Sequence, residues 1–128
     1  MNSNRLKLLV VLALIVIVGS YVFISMNSHD TMIKVTSGSS LKNGDMIKLV
    51  LKDDYRNVYP NEVIDVKILD DSGWATYYNA TTDENGQATV IIEGLENGNY
   101  TVHSTFNGTM FLHKSKAVSS LQIDDGYN

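Results

Sequence analysis

Four sets of residues in this chain have chemistry to offer. Three sequons come first: Asn79-Ala80-Thr81, Asn99-Tyr100-Thr101 and Asn107-Gly108-Thr109. In each, the threonine can orient the asparagine amide for glycan transfer, and external loops are where that modification occurs. Asn79, Asn99 and Asn107 are therefore candidate N-glycosylation sites, although a hairpin wants Asn107-Gly108 with or without a sugar. Acidic pairs come second: Asp53-Asp54, Asp70-Asp71, Asp83-Glu84 and Asp124-Asp125. Calcium takes clustered carboxylate and carbonyl oxygens, and loops at one end of a β-domain can gather some of these. No EF-hand spacing exists, because Asp83-Glu84-Asn85-Gly86 lacks the downstream glutamate. Solvated turn residues are the plainer reading, so no cofactor is expected and calcium is the alternative.

The histidines come third. A two-residue loop at Asn107-Gly108 would pair His103 with Leu112 and set Met110 and Leu112 on a polar face. A three-residue loop over 107–109 pairs Phe106 with Met110, Ser104 with Leu112 and His103 with His113. The second register keeps the apolar residues together and is preferred. It makes the two histidines cross-strand neighbours on an outer face, with no third metal ligand placed beside them. The aromatic residues Trp74, Tyr77, Tyr78, Tyr55 and Tyr59 come last, because such side chains dominate glycan and protein contact patches. Alternation exposes Tyr77 or Tyr78 but not both, and Trp74 is expected in the core. Catalysis has little to work with. The chain has no cysteine, which removes thiol chemistry and cysteine-ligated zinc. No serine sits in a G-x-S-x-G motif, and a domain this small offers little cleft for paired carboxylates. No enzyme is expected.

The elements that must position these residues are strands. Over 46–52, Ile47, Leu49 and Leu51 alternate with Lys48, Val50 and Lys52, the period of a half-buried strand. Over 62–69, Ile64, Val66 and Ile68 point one way while Asp65 and Lys67 point the other. Residues 74–81 are aromatic and Thr-rich. Ala88, Val90 and Ile92 alternate over 87–93, as do Tyr100, Val102, Ser104 and Phe106 over 99–106. Residues 109–123 supply a last strand, in one piece or two, and 32–36 a first. Asp70-Asp71-Ser72-Gly73 and Asp83-Glu84-Asn85-Gly86 read as turns, the second with Gly86 at positive φ. Turn signals recur about every 8–12 residues, the spacing of a β-sandwich. Tyr100 follows the Gly-containing loop Leu95-Glu96-Asn97-Gly98-Asn99 at the start of the penultimate strand. There its hydroxyl can bond backbone a few residues upstream, a structural tyrosine corner.

A different element precedes them. Between Leu8 and Ile24 the chain carries no charge, and Arg5 and Lys7 stand just before it. As a helix this run is about 25 Å long, close to the hydrocarbon thickness of a bilayer. The basic residues place the N-terminus in the cytoplasm and the bulk of the chain outside. An uncleaved signal anchor fits the length better than a cleaved signal peptide, whose apolar region is usually shorter. A buried soluble helix would need a polar face that the run lacks. With no cysteine, a cysteine-linked lipid anchor is excluded. The expected organisation is a cytoplasmic segment 1–7, a transmembrane anchor 8–25, a polar stalk 26–44 with the first strand inside it, a sandwich 45–124 and a tail 125–128. The whole chain has 10 Lys+Arg against 14 Asp+Glu. Without Arg5 and Lys7 the outer part is more acidic still, so nucleic acid and anionic lipid are unlikely partners for it.

The motifs Leu51-Lys52-Asp53-Asp54, Pro60-Asn61, Val63-Ile64-Asp65-Val66, Asp71-Ser72-Gly73, Thr82-Asp83-Glu84-Asn85-Gly86-Gln87-Ala88, Gly98-Asn99-Tyr100-Thr101-Val102 and Phe106-Asn107-Gly108 occur in that order. Together they resemble the Ig-like/transthyretin-like module of bacterial and archaeal surface proteins, especially adhesin-like proteins of methanogens. The resemblance covers roughly 46–123. It implies an all-β, Ig-like (Greek-key) β-sandwich of about seven strands used for display, spacing or adhesion, with no catalytic residues. Adhesin-like proteins usually string many modules together, whereas this chain has one. The expected function is therefore non-enzymatic surface interaction, adhesion or cell-envelope assembly at the cell membrane, through an unknown protein or glycan partner. The alternatives are an accessory subunit of a membrane complex and a secreted, self-assembling pilus or polymer subunit.

Overall fold

The computed structural model describes residues 2–125; the expected tail lies outside them apart from Asp125. Helix α1, Ser3–Asn27, opens on Asn2, whose side chain accepts the N–H of Asn4 at 3.1 Å. That satisfies one of the donors a helix start leaves unpaired. Residues 3–26 are long and apolar enough to cross a membrane, and none of that stretch is buried against the rest of the chain. Its side chains are apolar on every side, so the helix offers no polar stripe to water.

Eight strands follow: β1 (Thr31–Val35), β2 (Ser40–Leu41), β3 (Met46–Asp53), β4 (Val63–Asp70), β5 (Ala75–Thr81), β6 (Gln87–Ile91), β7 (Gly98–Phe106) and β8 (Ser115–Ile123). They form a three-stranded sheet in the order β1-β3-β6 and a five-stranded sheet in the order β2-β8-β7-β4-β5. The chain passes from one sheet to the other between β1 and β2, where β2 pairs parallel with β8. The first strand expected within the span 26–44 forms as β1, with Ile33 in the core, and the same span also supplies β2 to the other sheet. The register of the β1–β3 ladder sets Ile33 opposite Leu51.

Between the sheets the period-2 pattern is obeyed. Ile47, Leu49 and Leu51 of β3 share one buried cluster with Ile64, Val66 and Ile68 of β4 and with Val102 and Phe106 of β7. Ser104 of β7 is also buried, opposite Val66 and Ala117, and its hydroxyl oxygen has no hydrogen-bond partner.

One expected register does not form. β7 ends at Phe106, which pairs with Ser115. The connection therefore takes residues 107–114 rather than three, and His103 faces Val118, not His113. The cause is Leu112, which is buried in the core on its own bridge to His29 instead of continuing a hairpin. Gly108, at φ +85°, turns the loop back so tightly that a Cβ there would lie 2.9 Å from the Leu112 carbonyl oxygen.

Burial of a polar oxygen without a partner is unfavourable. Ser104→Ala is therefore expected to raise the thermal midpoint of the full chain in detergent. Leu51→Ala, which leaves a void, is expected to cost about 2–5 kcal/mol. A lower midpoint for Ser104→Ala would show that the hydroxyl is satisfied after all.

Candidate interaction face

Sending Ile64, Val66 and Ile68 inward sends Asp65 and Lys67 outward. The ladders then align two rows across the outer face of the five-stranded sheet. One row is Tyr77, Lys67, His103 and Val118; the other is Asn79, Asp65, Thr105 and Lys116. The eight residues line one open depression. Tyr77 is 74% exposed, whereas Tyr78 is packed on the core, as strand alternation requires. The face thus offers a phenol, an imidazole, an aliphatic side chain and both signs of charge. That mixture suits contact with a protein or glycan more than with a polyanion.

The sequons divide between the two ends of this sheet. Asn79 is exposed on the edge strand β5, and Asn99 is exposed near the start of β7, opposite Gln122. Asn107 is exposed at the end facing α1, and its side-chain amide donates to Asp65 Oδ2 at 2.9 Å. His113 is separated from His103 and sits instead against Asp30, with Nδ1 2.6 Å from Oδ1. Tyr100 packs on the core and its hydroxyl donates to the Glu96 carbonyl at 2.6 Å, four residues upstream. Burial and the neighbouring Glu96 and Asp70 charges push that phenol above its ordinary pKa. Trp74, expected inside, is 75% exposed because it closes the β4–β5 turn, its backbone N–H donating to Asp70 Oδ1 at 2.8 Å.

The acidic pairs organise loops. Asp53, at the end of β3, is nearly inaccessible to solvent. Its Oδ1 accepts the N–H groups of Tyr55 (2.8 Å) and Asn57 (2.9 Å), and its Oδ2 accepts Asn57 Nδ2 (3.1 Å) and the Tyr59 hydroxyl (2.5 Å). The Tyr59 bond, opposed by burial and aided by Asn57 and Tyr55, holds the Asp53 carboxyl down at about 2. Burial and the Asp53 charge in turn push the Tyr59 phenol up to about 12. Asp70 and Asp125 are also held below the ordinary range, by Ser72 and by Asn43 respectively. Asp83 accepts two loop N–H groups, from Asn85 and Gln87. Asp53 and Asp83 lie at the α1 end of the sandwich and Asp70 and Asp125 at the other, so the four acidic pairs do not all gather at one end. Among the described residues no three His, Cys, Asp or Glu side chains are grouped to hold a metal ion.

With this geometry the chain superposes on a number of solved structures, among them the following three. A tetra-tandem repeat from the extending region of a large adhesion protein matches with TM-score 0.52 and 16% identity over 77% of this chain. This chain spans 25% of that one. CopC from Methylosinus trichosporium OB3b matches with TM-score 0.56 and 16% identity, covering 77% of this chain and 97% of its own. The Lin-41 filamin domain matches with TM-score 0.55 and 17% identity, covering 75% and 93%. The fold is an Ig-like β-sandwich. At these identities the likeness speaks for the fold alone. No protein-family model and no curated protein matches the sequence.

The residues that sequence reasoning missed in this Ig-like sandwich are Asp53 as a buried loop hub and the Met110-Phe111 pair. The Asp53-Asp54 pair looked like solvated turn residues because nothing local reveals that Tyr59 folds back onto it. Met110 and Phe111 did leave a signal, two large apolar residues just after the Asn107-Gly108-Thr109 turn.

A carboxyl held below its unfolded value contributes stability above that value and loses it as pH falls through the folded one. For Asp53 the window runs from the ordinary 3.8 down to about 2. Asp53→Asn is expected to lower the thermal midpoint at neutral pH, and the gap to the natural chain should shrink as pH falls through that window. A gap that ignores pH would count against the hub.

Proposed function

We propose that this chain is a single-pass membrane protein, N-terminus in the cytoplasm, that holds one Ig-like sandwich outside as a non-enzymatic contact module. The observation that carries this reading is α1, whose membrane-length apolar stretch is not buried by the sandwich, which touches it only near its C-terminal end. The core is complete without it, so the helix needs another apolar environment, and a bilayer satisfies both its surface and its internally bonded backbone. Arg5 and Lys7 orient it by the positive-inside rule. The sandwich acts through the Tyr77–Val118 face and requires neither a metal nor a cofactor. Its partner is a protein or glycan at the cell surface. The adhesion-protein repeat among the structural neighbours supports an adhesin-like display role, in keeping with the resemblance to surface modules of methanogens and bacteria. Asn79 and Asn99 are the sequons best suited to carry a glycan. At Asn107 the amide nitrogen a glycan would take is already bound to Asp65.

One observation favours a second reading, self-association. β5 pairs only with β4, so its other edge is open, and its sequence ATYYNAT carries no charge. Uncharged open edges are templates for another strand. Lys48 and Lys52 lie on β3 in the middle of its sheet and guard no edge.

The topology is tested in the cysteine-free chain with single Ser3→Cys and Ser72→Cys variants and a membrane-impermeant maleimide on intact cells. Ser72→Cys should label at once and Ser3→Cys only after permeabilisation. The reverse pattern, or a mature chain lacking its first twenty or so residues, would sink the anchor. The face is tested with a photo-crosslinking residue at position 77 or, on the opposite sheet, at 89. A discrete adduct from 77 alone is expected. Equal capture from both positions would remove the face, and capture of a second copy would favour edge pairing.

A further inference from the structure

We propose that the β7–β8 loop is a membrane-inserting finger. Met110 and Phe111 enter the acyl chains of the leaflet through which α1 leaves the bilayer, docking the sandwich on the lipid surface. The inference rests on the anchor reading above.

The position of the loop along α1 carries the argument. The Phe111 ring meets the Phe23 ring edge-on, centroids 5.9 Å apart at 87°. Met110 and Phe111 line one groove with Val16, Gly19, Phe23 and Ile24 of the helix. A hydrocarbon core of about 30 Å takes about 20 residues at 1.5 Å each. Counted from Lys7 at the inner boundary, that span ends close to Asn27. Phe23 then lies about 6 Å beneath the outer edge, and helix tilt only deepens it. A side chain that packs on Phe23 and faces Val16 and Gly19 is at acyl depth too.

The chemistry of the loop fits that depth. Met110 is 65% exposed and Phe111 37% exposed, and neither belongs to the sandwich core. Leu112, the next residue, is buried in it and pins the base of the finger. The longer connection that brings Leu112 into the core carries Met110 and Phe111 out at its tip. Peptide groups near hydrocarbon must be bonded internally. The Thr109 N–H donates to the Leu112 carbonyl at 2.8 Å, and the Leu112 N–H to Thr109 Oγ1 at 3.2 Å. The Phe111 carbonyl accepts the His29 N–H at 2.9 Å. Directly above the tip the character changes to headgroup level. There stand the His113–Asp30 pair and the exposed Tyr55, edge-on to His29. A tyrosine at that level suits a membrane interface.

The native Trp74 is the chain's single tryptophan and sits at the far end of the sandwich. It is removed as W74F, and a reporter is placed as W74F/F111W, W74F/M110W or W74F/F23W. Each full chain is reconstituted at low protein-to-lipid ratio in phosphatidylcholine vesicles with brominated acyl chains. The F111W and M110W chains are expected to lose at least as much emission as the F23W chain, while native Trp74 keeps its emission. Quenching of the F23W chain without either finger variant would overturn the finger and leave the anchor standing. No quenching in any of the three would overturn the anchor reading, and the finger with it. Finger quenching that disappears as the protein-to-lipid ratio rises would assign Met110 and Phe111 to a second copy instead of lipid.

Discussion

The apolar side chains shared between the two sheets are what every other feature leans on, because the chain has no cysteine to cross-link it. Ile47, Leu49 and Leu51 from one sheet and Ile64, Val66 and Ile68 from the other are essentially inaccessible to water. Each contributes on the order of 1.5–3 kcal/mol by leaving it. Every strand that buries one set of alternate residues must expose the other. The interaction face is therefore a by-product of the core: Asp65 and Lys67 face outward because Ile64, Val66 and Ile68 cannot. A slip of one residue in β4 would bury both charges, which is why the register is so strongly set.

The loops are held by a different force. A buried carboxylate is tolerable only when donors surround it. Here the donors are backbone N–H groups of the loop itself together with a tyrosine or asparagine side chain. Asp53 gathers the turn after β3, and Thr82 stitches the neighbouring loops by donating to the Tyr59 carbonyl and accepting the Glu62 N–H. At the far end the Asn43 side chain bridges Leu95 and Asp125. Asp53, Asp70, Asp83 and Asp125 thus each order a loop.

The seam between helix and sandwich shapes what the module can reach. Only residues 28–30 separate α1 from β1, and His29 is bonded through its backbone to Phe111 and His113. On the proposed reading the sandwich stands at the membrane surface without a stalk. Its partner then has to approach near the bilayer, and the outer sheet face is presented at a set angle. A long flexible tether would have removed that constraint at the entropic cost of a wide search.

Much of this was legible from the chain alone. Local alternation determined the strands, their inward residues and the outward face, because strand period depends on neighbours in sequence. The uninterrupted apolar run determined a membrane-length helix, since no arrangement of an all-apolar surface suits water. Turn residues such as Gly86, at φ +70°, marked where the chain reverses. Tertiary structure decided the rest. It gave the strand expected at 32–36 its partner, β3, added β2 within the span read as a stalk, and turned Trp74 to the surface. It parted His113 from His103 by burying Leu112. It also carried Tyr59 back to Asp53, making a buried hub from what reads locally as a solvated turn. The β1–β3 ladder and the Leu112–His29 bridge join segments far apart in sequence, so their free energy exists only once both are in place. The Trp74 and Tyr59 contacts are with Asp70 and Asp53, four and six residues away, and follow from how their own turns close.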